Sequence, residues 1–481
     1  MALLPRVKID TQENLTLTAP GAPAVIALMG TAQWGEVGTV QTFTSYANLL
    51  AYYKSDASDL TLVRGADVSY NNGAYVIKAV RVAASGKAKS TNGFDGNTGG
   101  EADVLTVNAK YDGLYGDNIL ITVLAKGTGR TVTVTDGVNT ETYSNNNATN
   151  GYATNQAIAD AINNGSALVD VTVKVGSETS NLVDAVSATA LASGNNGSTT
   201  AFTDYTTAFD NVLPLEDWDI LIIPGETDDA NHATMVGKVE GRASNEKKYG
   251  MYFSGITAQE DIATQKARTT QSERFVLASP SISYLPTYQT TNIVLDGSYL
   301  ACALAGQTAS RDVEISLTRK NVVVGGLIVD STTGKEFYNN GEMEELLGAG
   351  IIPVSKITGG IKVARGVTRT ADQSSVYFEL NVQRIVDYVK AQAQLKLDGF
   401  LGDPNLSRIR DVMAREVDGI LQQDILDEVI SNYAPTEVTE AISPDTVNVS
   451  MTIQPTFAIN FINVTLAISR LWGDRRWLNK E

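Results

Sequence analysis

Few residues of this chain have the type and spacing for covalent or acid–base chemistry. His232 is its only histidine, and Asp228 and Asp229 lie just before it. A carboxylate near an imidazole can make a general base, and any Ser–His or Cys–His pair would have to use this one ring. A two-His metal site within one chain is excluded. His232 falls in the first turns of an expected helix, where a single histidine reads as exposed surface structure. Cys302, the only cysteine, sits among Ala301, Ala303 and Leu304, where a thiol acts as a small hydrophobe. No internal disulfide is possible. The phosphate-cradling GxxxxGK[ST], the nucleophile elbow GxSxG and the zinc helix HExxH are all missing. No catalytic residue, metal or cofactor is expected, and the chain reads as a non-enzyme. A hydrolase centred on Asp228, Asp229 and His232 is the rival reading.

The elements that would position such residues belong to a large folded chain. Its 481 residues carry 37 Lys+Arg against 54 Asp+Glu, a net charge of −17. That excess opposes a nucleic-acid binder that neutralises many phosphates. The length suits about three domains at ~100–200 residues each. A hydrophobic fraction of 43% and a charged fraction of 19% suit packed cores. No run of ~18 apolar residues predicts a membrane span, and MALLPRVKID lacks the pattern of a secretory leader.

Residues 1–22 alternate in short extended pieces, Val7 with Ile9 and Leu15 with Leu17, and close on Pro20, Gly21 and Pro23. AVIALMG (24–30) predicts a strand buried on both faces. Thr44 and Ser45 can cap a helix bearing Tyr46, Leu49, Leu50 and Tyr53. A second helix is expected near 58–71, then a strand over 74–82. Residues 86–100 and 144–200 are rich in Gly, Asn, Ser and Thr around short strands at 104–107, 119–124 and 131–135, with one helix near 155–162. This pattern predicts a β-rich insertion on the surface. Helix–strand alternation returns with a strand at 219–223, a helix from 228, a strand at 249–253, a helix over 258–271 and a strand at 275–278. Small residues at 299–304 predict a closely packed helix, followed by a helix at 342–348 and extended segments at 351–354 and 361–364.

Two long helices are expected at 380–396 and 404–430, the second with Pro404 in its first turn. Its apolar stripe runs Leu406, Ile409, Met413, Val417, Ile420 and Leu421, opposite Arg408, Asp411, Arg415, Asp418 and Gln422. The end of the chain alternates over Val447, Val449, Met451 and Ile453, over Phe457, Ile459 and Phe461, and again over Ile462, Val464, Leu466 and Ile468. The adjacent Phe461 and Ile462 predict a slip of face. The expected fold is mixed α/β (α+β) and multidomain, a layered α/β core with a β-rich inserted domain and extended terminal β-arms. The divisions are an N-terminal arm (1–22), the first part of the core (23–85), the insertion (86–205), the main core (206–370), a C-terminal helical part (371–445) and a C-terminal arm (446–481).

The order of several segments resembles the tail sheath proteins of contractile phage tails and related injection machines. The resemblance is carried by GTAQWGEVGTVQTFTSYANLLAYY, NNGAYVIKAVRV, YDGLYGDNILITV (111–123), WDILIIPGETDD (218–229), YLACALAGQTASRDV (299–313) and LLGAGIIPVSKITGGIKVARGVTR (346–369). The helix pair around DGFLGDPN and the alternating tail extend it over most of the chain. Two departures are Gly402-Asp403-Pro404-Asn405, where the family more often has Glu-Pro-Asn, and the continuation SRLWGDRRWLNKE.

This resemblance implies a homo-oligomeric helical cylinder around a tail tube protein, contracting when a baseplate triggers it, with a tail terminator as a further partner. It implies a virion tail assembled in the host cytoplasm, with no nucleic acid bound and no direct membrane insertion. Terminal strands exchanged between neighbours would use Val7, Ile9, Leu15, Leu17, Val447, Val449, Met451, Ile453, Phe457, Ile459, Phe461, Val464 and Leu466. An unpaired strand needs a partner edge, which supports this from the residues themselves. Residues 1–19 reach roughly 60 Å when extended. Flexible connectors are expected at 19–23 and 434–444, and Arg408 and Arg415 are candidate tube contacts. A surface-array or capsid-type protein using the same strands laterally is the alternative.

Overall fold

The computed structural model describes residues 24–54, 60–98, 100–145, 149–285, 290–370, 372–443, 445–463 and 465. The first part of the core holds β1 (Val25–Gly30), β2 (Val40–Phe43), α1 (Tyr46–Tyr53), α2 (Leu62–Asn71) and β3 (Val76–Arg81). An insertion follows with β4 (Lys89–Phe94), β5 (Leu105–Asp112), β6 (Leu120–Lys126), β7 (Gly129–Thr135), β8 (Thr140–Tyr143), α3 (Asn155–Gly165), β9 (Val169–Val173) and β10 (Val186–Ala190). The core resumes with α4 (Phe202–Val212), β11 (Ile220–Ile222), α5 (Asp229–Asn245), β12 (Met251–Gly255), α6 (Ile262–Ala267) and β13 (Phe275–Ser279). Then come β14 (Ser281–Tyr284), β15 (Ile293–Leu295), α7 (Gly297–Ala309), β16 (Gly326–Ile328), α8 (Asn340–Gly348), β17 (Ile351–Ile357) and β18 (Gly360–Val363). The C-terminal body is α9 (Leu380–Asp398), α10 (Ser407–Leu426), β19 (Ile430–Glu440) and β20 (Val447–Pro455).

The centre is an eight-stranded sheet in the order β18-β17-β13-β12-β11-β1-β3-β2. Its six inner strands pair parallel, and the two edge strands are antiparallel. Parallel strands need both faces covered, and β1 shows how. Ile26 and Leu28 enter one apolar layer with α1, α2 and α7, while Ala27 and Met29 enter the other with α4, α5 and α8. Ser45 caps α1 by accepting from the Asn48 amide, as the sequence predicts.

Helix α7 is buried along its whole length. Small residues let it approach neighbouring backbone closely: a Cβ on Gly306 would stand 2.3 Å from the Ser69 carbonyl oxygen. Cys302 sits within this helix, fully buried, and burial pushes its thiol pKa up. It is a packing residue, as its setting predicts.

The insertion packs the sheets β4-β5-β9 and β10-β6-β7-β8 with α3 around one apolar cluster. Its seam with the core is specific. Trp34 meets Tyr111 edge-on at 5.3 Å, and Lys54 pairs with Asp136 at 3.1 Å. Burial raises the Asp136 pKa, but the Asn139 and Val138 amides and Lys54 outweigh it and hold the group at about 2. Arg81, fully buried, donates from Nη1 to the carbonyls of Gly35 (2.6 Å) and Asp112 (2.8 Å). The chain returns from the insertion where the Ser198 amide meets the Ser85 carbonyl at 3.0 Å. Helix α4 then packs Tyr205, Ala208 and Phe209 into the core, so 202–205 belong to a core helix and not to the insertion.

Other expectations are corrected locally. Helix α6 covers only Ile262–Ala267, because Arg268 leaves it and Thr269 and Thr270 bond to Asp229. Helix α10 starts at Ser407 with Leu406 as its N-cap, so Pro404 precedes the helix. The expected connector at 434–444 is mostly strand: residues 434–440 lie in β19 and pair with β20, with a register shift at the Pro435 bulge.

Candidate functional site

One arrangement in the core has the outline of a catalytic pair. Contrary to the expectation of an exposed ring, His232 is fully buried on α5, with Nε2 2.9 Å from Ser254 Oγ on β12. Ser254 is buried too, and its hydroxyl donates to the Glu226 carbonyl at 2.8 Å. With that proton engaged, Nε2–H is the donor to Ser254 Oγ, the reverse of what an activated serine needs. Nδ1 has no partner, so no carboxylate orients the ring. Asp228 instead caps α5 through the Ala230 and Asn231 amides, and Asp229 accepts from Thr269 and Thr270. Burial, with Arg268 nearby, lowers the His232 pKa to about 4. The ring stays neutral at neutral pH, and proximity in sequence does not become a triad. Among the described residues, no group of three or more His, Cys, Asp or Glu could hold a metal ion, and no helix is long and apolar enough to cross a membrane.

A second candidate surface lies on the C-terminal body. Helices α9 and α10 pack antiparallel through Ile385, Val389, Val417 and Leu421, and β19–β20 closes the same cluster with Ile430, Met451 and Ile453. Arg274 ties this body to the core, gripping Asp387 of α9 with two 2.6 Å bonds. The hairpin is laid on α10 by the Thr436 amide donating to Asp418 at 2.8 Å and by Arg410 facing Glu440 at 3.5 Å. It is a sheet of two strands only, so among the described residues both of its outer edges lack a neighbour. In β20, Val447, Val449, Met451 and Ile453 turn towards the helices, and Asn448, Ser450, Thr452 and Gln454 face out.

Of the other residues singled out from the sequence, Phe457, Ile459 and Phe461 lie beyond β20 in a segment that forms no strand. Val7, Ile9, Leu15, Leu17, Val464 and Leu466 lie outside the described residues, as does the expected connector at 19–23. Arg408 and Arg415 are both exposed on α10, two turns apart on one side of the helix. The face switch comes at Pro455 and Thr456, earlier than the Phe461–Ile462 pair suggested.

Sequence reasoning missed Asp424. It is buried between α10 and its neighbours, with Oδ1 accepting from Gln392 at 3.2 Å and Oδ2 unpartnered. Burial pushes its pKa up to about 6, aided by Asp427 and opposed by Gln392. A folded-state pKa above the unfolded value means that the ionised group destabilises the fold above about pH 6. That penalty disappears as pH falls towards ~3.9. Asp424→Asn is therefore expected to stabilise the protein at pH 7.5 by about 2 kcal/mol and to give no gain at pH 4. Thermal melts at the two pH values check this, and equal shifts at both would contradict it. The only signal in the sequence was an acidic residue three positions after Leu421 in the buried stripe.

Comparison with known proteins fits this architecture. Residues 196–369 match the family model for the phage tail sheath protein central domain. A curated tail sheath protein of Mycobacterium phage Bxz1 is 25% identical over 295 residues, covering 58% of this chain. The match spans about half of that relative, 48% of its length. Among solved structures, the sheath tail protein of Desulfitobacterium hafniense superposes with a TM-score of 0.66 at 18% identity, over 92% of this chain and 95% of that one. The sheath tail protein of Listeria innocua gives 0.68 at 16% identity, over 92% and 94%. The helical sheath of the anti-feeding prophage in its contracted state gives 0.51 at 12% identity, over 98% and 100%.

Proposed function

We propose that this chain, whose residues 196–369 match the phage tail sheath central-domain model and whose fold is that of solved sheath proteins, is the structural subunit of a contractile tail sheath. Copies polymerise as a helical cylinder around a tail tube, and contraction drives the tube through a target envelope. A baseplate and a tail terminator bound the cylinder, and the particle assembles in the host cytoplasm as part of a virion tail.

The observation that carries this reading is the two-stranded hairpin, neither of whose outer edges has a strand neighbour among the described residues. Each edge presents a row of N–H and C=O groups whose natural partner is another strand. Val7 with Ile9 and Leu15 with Leu17 have the alternation to supply one, since an added strand would continue the apolar face of β20 over α9 and α10. Such a contact joins unlike surfaces of neighbouring copies and propagates into a helix. Contraction then moves the subunits as rigid bodies while the exchanged strands stay paired.

Negative-stain imaging of the purified chain tests the proposal. Tubes are the expected product, and flat sheets or closed shells would favour the surface-array alternative. Arg408 and Arg415 are the proposed tube contacts, because exposed charges can re-form contacts in a shifted register. The double variant R408E/R415E is expected to polymerise alone yet lose co-assembly with the tube protein. Unchanged co-assembly would remove these residues from the contact.

A further inference from the structure

The seam between core and insertion opens into a cleft of about 290 Å³. Core residues 35–37 line it on one side, and Lys87, Lys89, Lys110, Tyr111 and Asp112, at the root of the insertion, line it on the other. Three ammonium groups around one opening run against the charge of a chain with 54 acidic residues to 37 basic ones. The backbone that carries them is pinned. Ala88 exchanges both of its backbone bonds with Asn195 at 3.0 Å, and Lys87 and Lys89, on either side of it, both reach the cleft. Lys110 lies on β5, and its Nζ stands 2.9 Å from Asp170 Oδ1. Lys89 Nζ reaches the other oxygen of the same carboxylate at 3.8 Å. Lys87 makes no ion pair among the described residues.

Arg81 lies beneath the cleft, fully buried. Its Nη1 joins the two sides by donating to the Gly35 and Asp112 carbonyls, while Nε and Nη2 have no partner. Burial lowers its pKa to about 10, against the pull of Asp112, so the guanidinium stays charged at neutral pH. Glu36 and Asp112 also line the opening, so with Asp170 three carboxylates face four cationic side chains. The ammonium groups repel one another, and a single carboxylate shared by two of them leaves both under-compensated. An anion whose charge is spread over several oxygens can accept from more than one of them at once. The Tyr111 ring, held edge-on to Trp34 at 5.3 Å, gives the cleft a rigid flank.

We propose that this cleft binds a compact multivalent oxyanion, of the polyphosphate or phosphate-ester class, between Lys87, Lys89 and Lys110. The buried Arg81 charge adds to the attraction, because protein screens it less than water does. A bound anion would touch the core on one side and the insertion on the other, and so fasten the seam between them. The inference goes beyond the sheath reading, and its failure would leave that reading untouched.

Isothermal titration calorimetry of the purified full chain with inorganic pyrophosphate at low ionic strength tests it. One site per chain is expected, with a dissociation constant below about 1 mM. The double variant Lys87→Ala/Lys89→Ala changes two exposed positions. It should weaken binding about tenfold or more and leave the melting temperature of the free chain nearly unchanged. Asp170→Asn separates an anion site from a merely structural ion pair. It removes the competing carboxylate and should tighten binding about threefold or more. Absence of binding at about 5 mM pyrophosphate overturns the site. So does an affinity that survives loss of the two lysines, or one that falls in Asp170→Asn.

Discussion

Removal of residues 1–18 is expected to leave a soluble, folded monomer that forms no tubes. Among the described residues the central sheet is built without that segment: β1 begins at Val25, and the Ala24 amide bonds to the Ala309 carbonyl at 3.1 Å. The polymer does need it if the open hairpin edge is filled by a neighbour's terminal strand. One net backbone hydrogen bond contributes only about 0.5–1.5 kcal/mol, but a strand makes several at once. Repeated along a cylinder, their loss shifts the assembly equilibrium by many orders of magnitude. Circular dichroism and thermal melting should match the full chain, while sedimentation should show one small species where the full chain pellets. Normal tubes from the shortened chain would refute strand exchange.

The second large effect concerns the core. Gly255→Ala is expected to cost about 4 kcal/mol or more and to lower the melting temperature by about 4 °C or more. At the end of β12, an added Cβ would stand 1.8 Å from the carbonyl carbon of Gly297, at the start of α7. Gly297 has no room either, since its own Cβ would meet the Ile256 amide nitrogen at 2.6 Å. The obstruction is backbone on both sides, so no rotamer change relieves it, and helix and sheet must separate. The altered chain should still list the same secondary structure by circular dichroism below its melting point. An unchanged melting temperature would mean that α7 can lift off the sheet at little cost.

Much of this architecture was legible because burial leaves a periodic trace. AVIALMG reads as a strand covered on both faces, and β1 is an inner strand of the parallel sheet, between β11 and β3. The small-residue run around Cys302 reads as a tightly packed helix, and α7 is one. The polar strands were harder. β4 (KSTNGF) carries little apolar pattern and is held by its pairing with β5, a long-range contact that no local window displays. His232 misled for a related reason: a polar ring early in a helix looks exposed, and only the tertiary placement of Ser254 gives its nitrogen a buried partner. The segment 434–440 looked like a connector because Pro435 interrupts it, yet a bulge absorbs the proline and the strand continues. In the C-terminal body, Asp424 drew no attention because its orphaned oxygen is a property of packing.

The places where the two ends of the chain meet the body differ in how they would carry tension. A pull from the N-terminal side reaches β1 along its own axis, between β11 and β3, with Val25 also held by Asp219 through a 2.7 Å bond. That load is shared by two parallel ladders in shear, so many bonds must fail together. A pull from the C-terminal side reaches first the Asn460–Glu379 bond and then the Thr456–Val429 bond, one after the other, as in peeling. A lattice strung through both ends would therefore yield at residues 456–460 while the central sheet stayed intact.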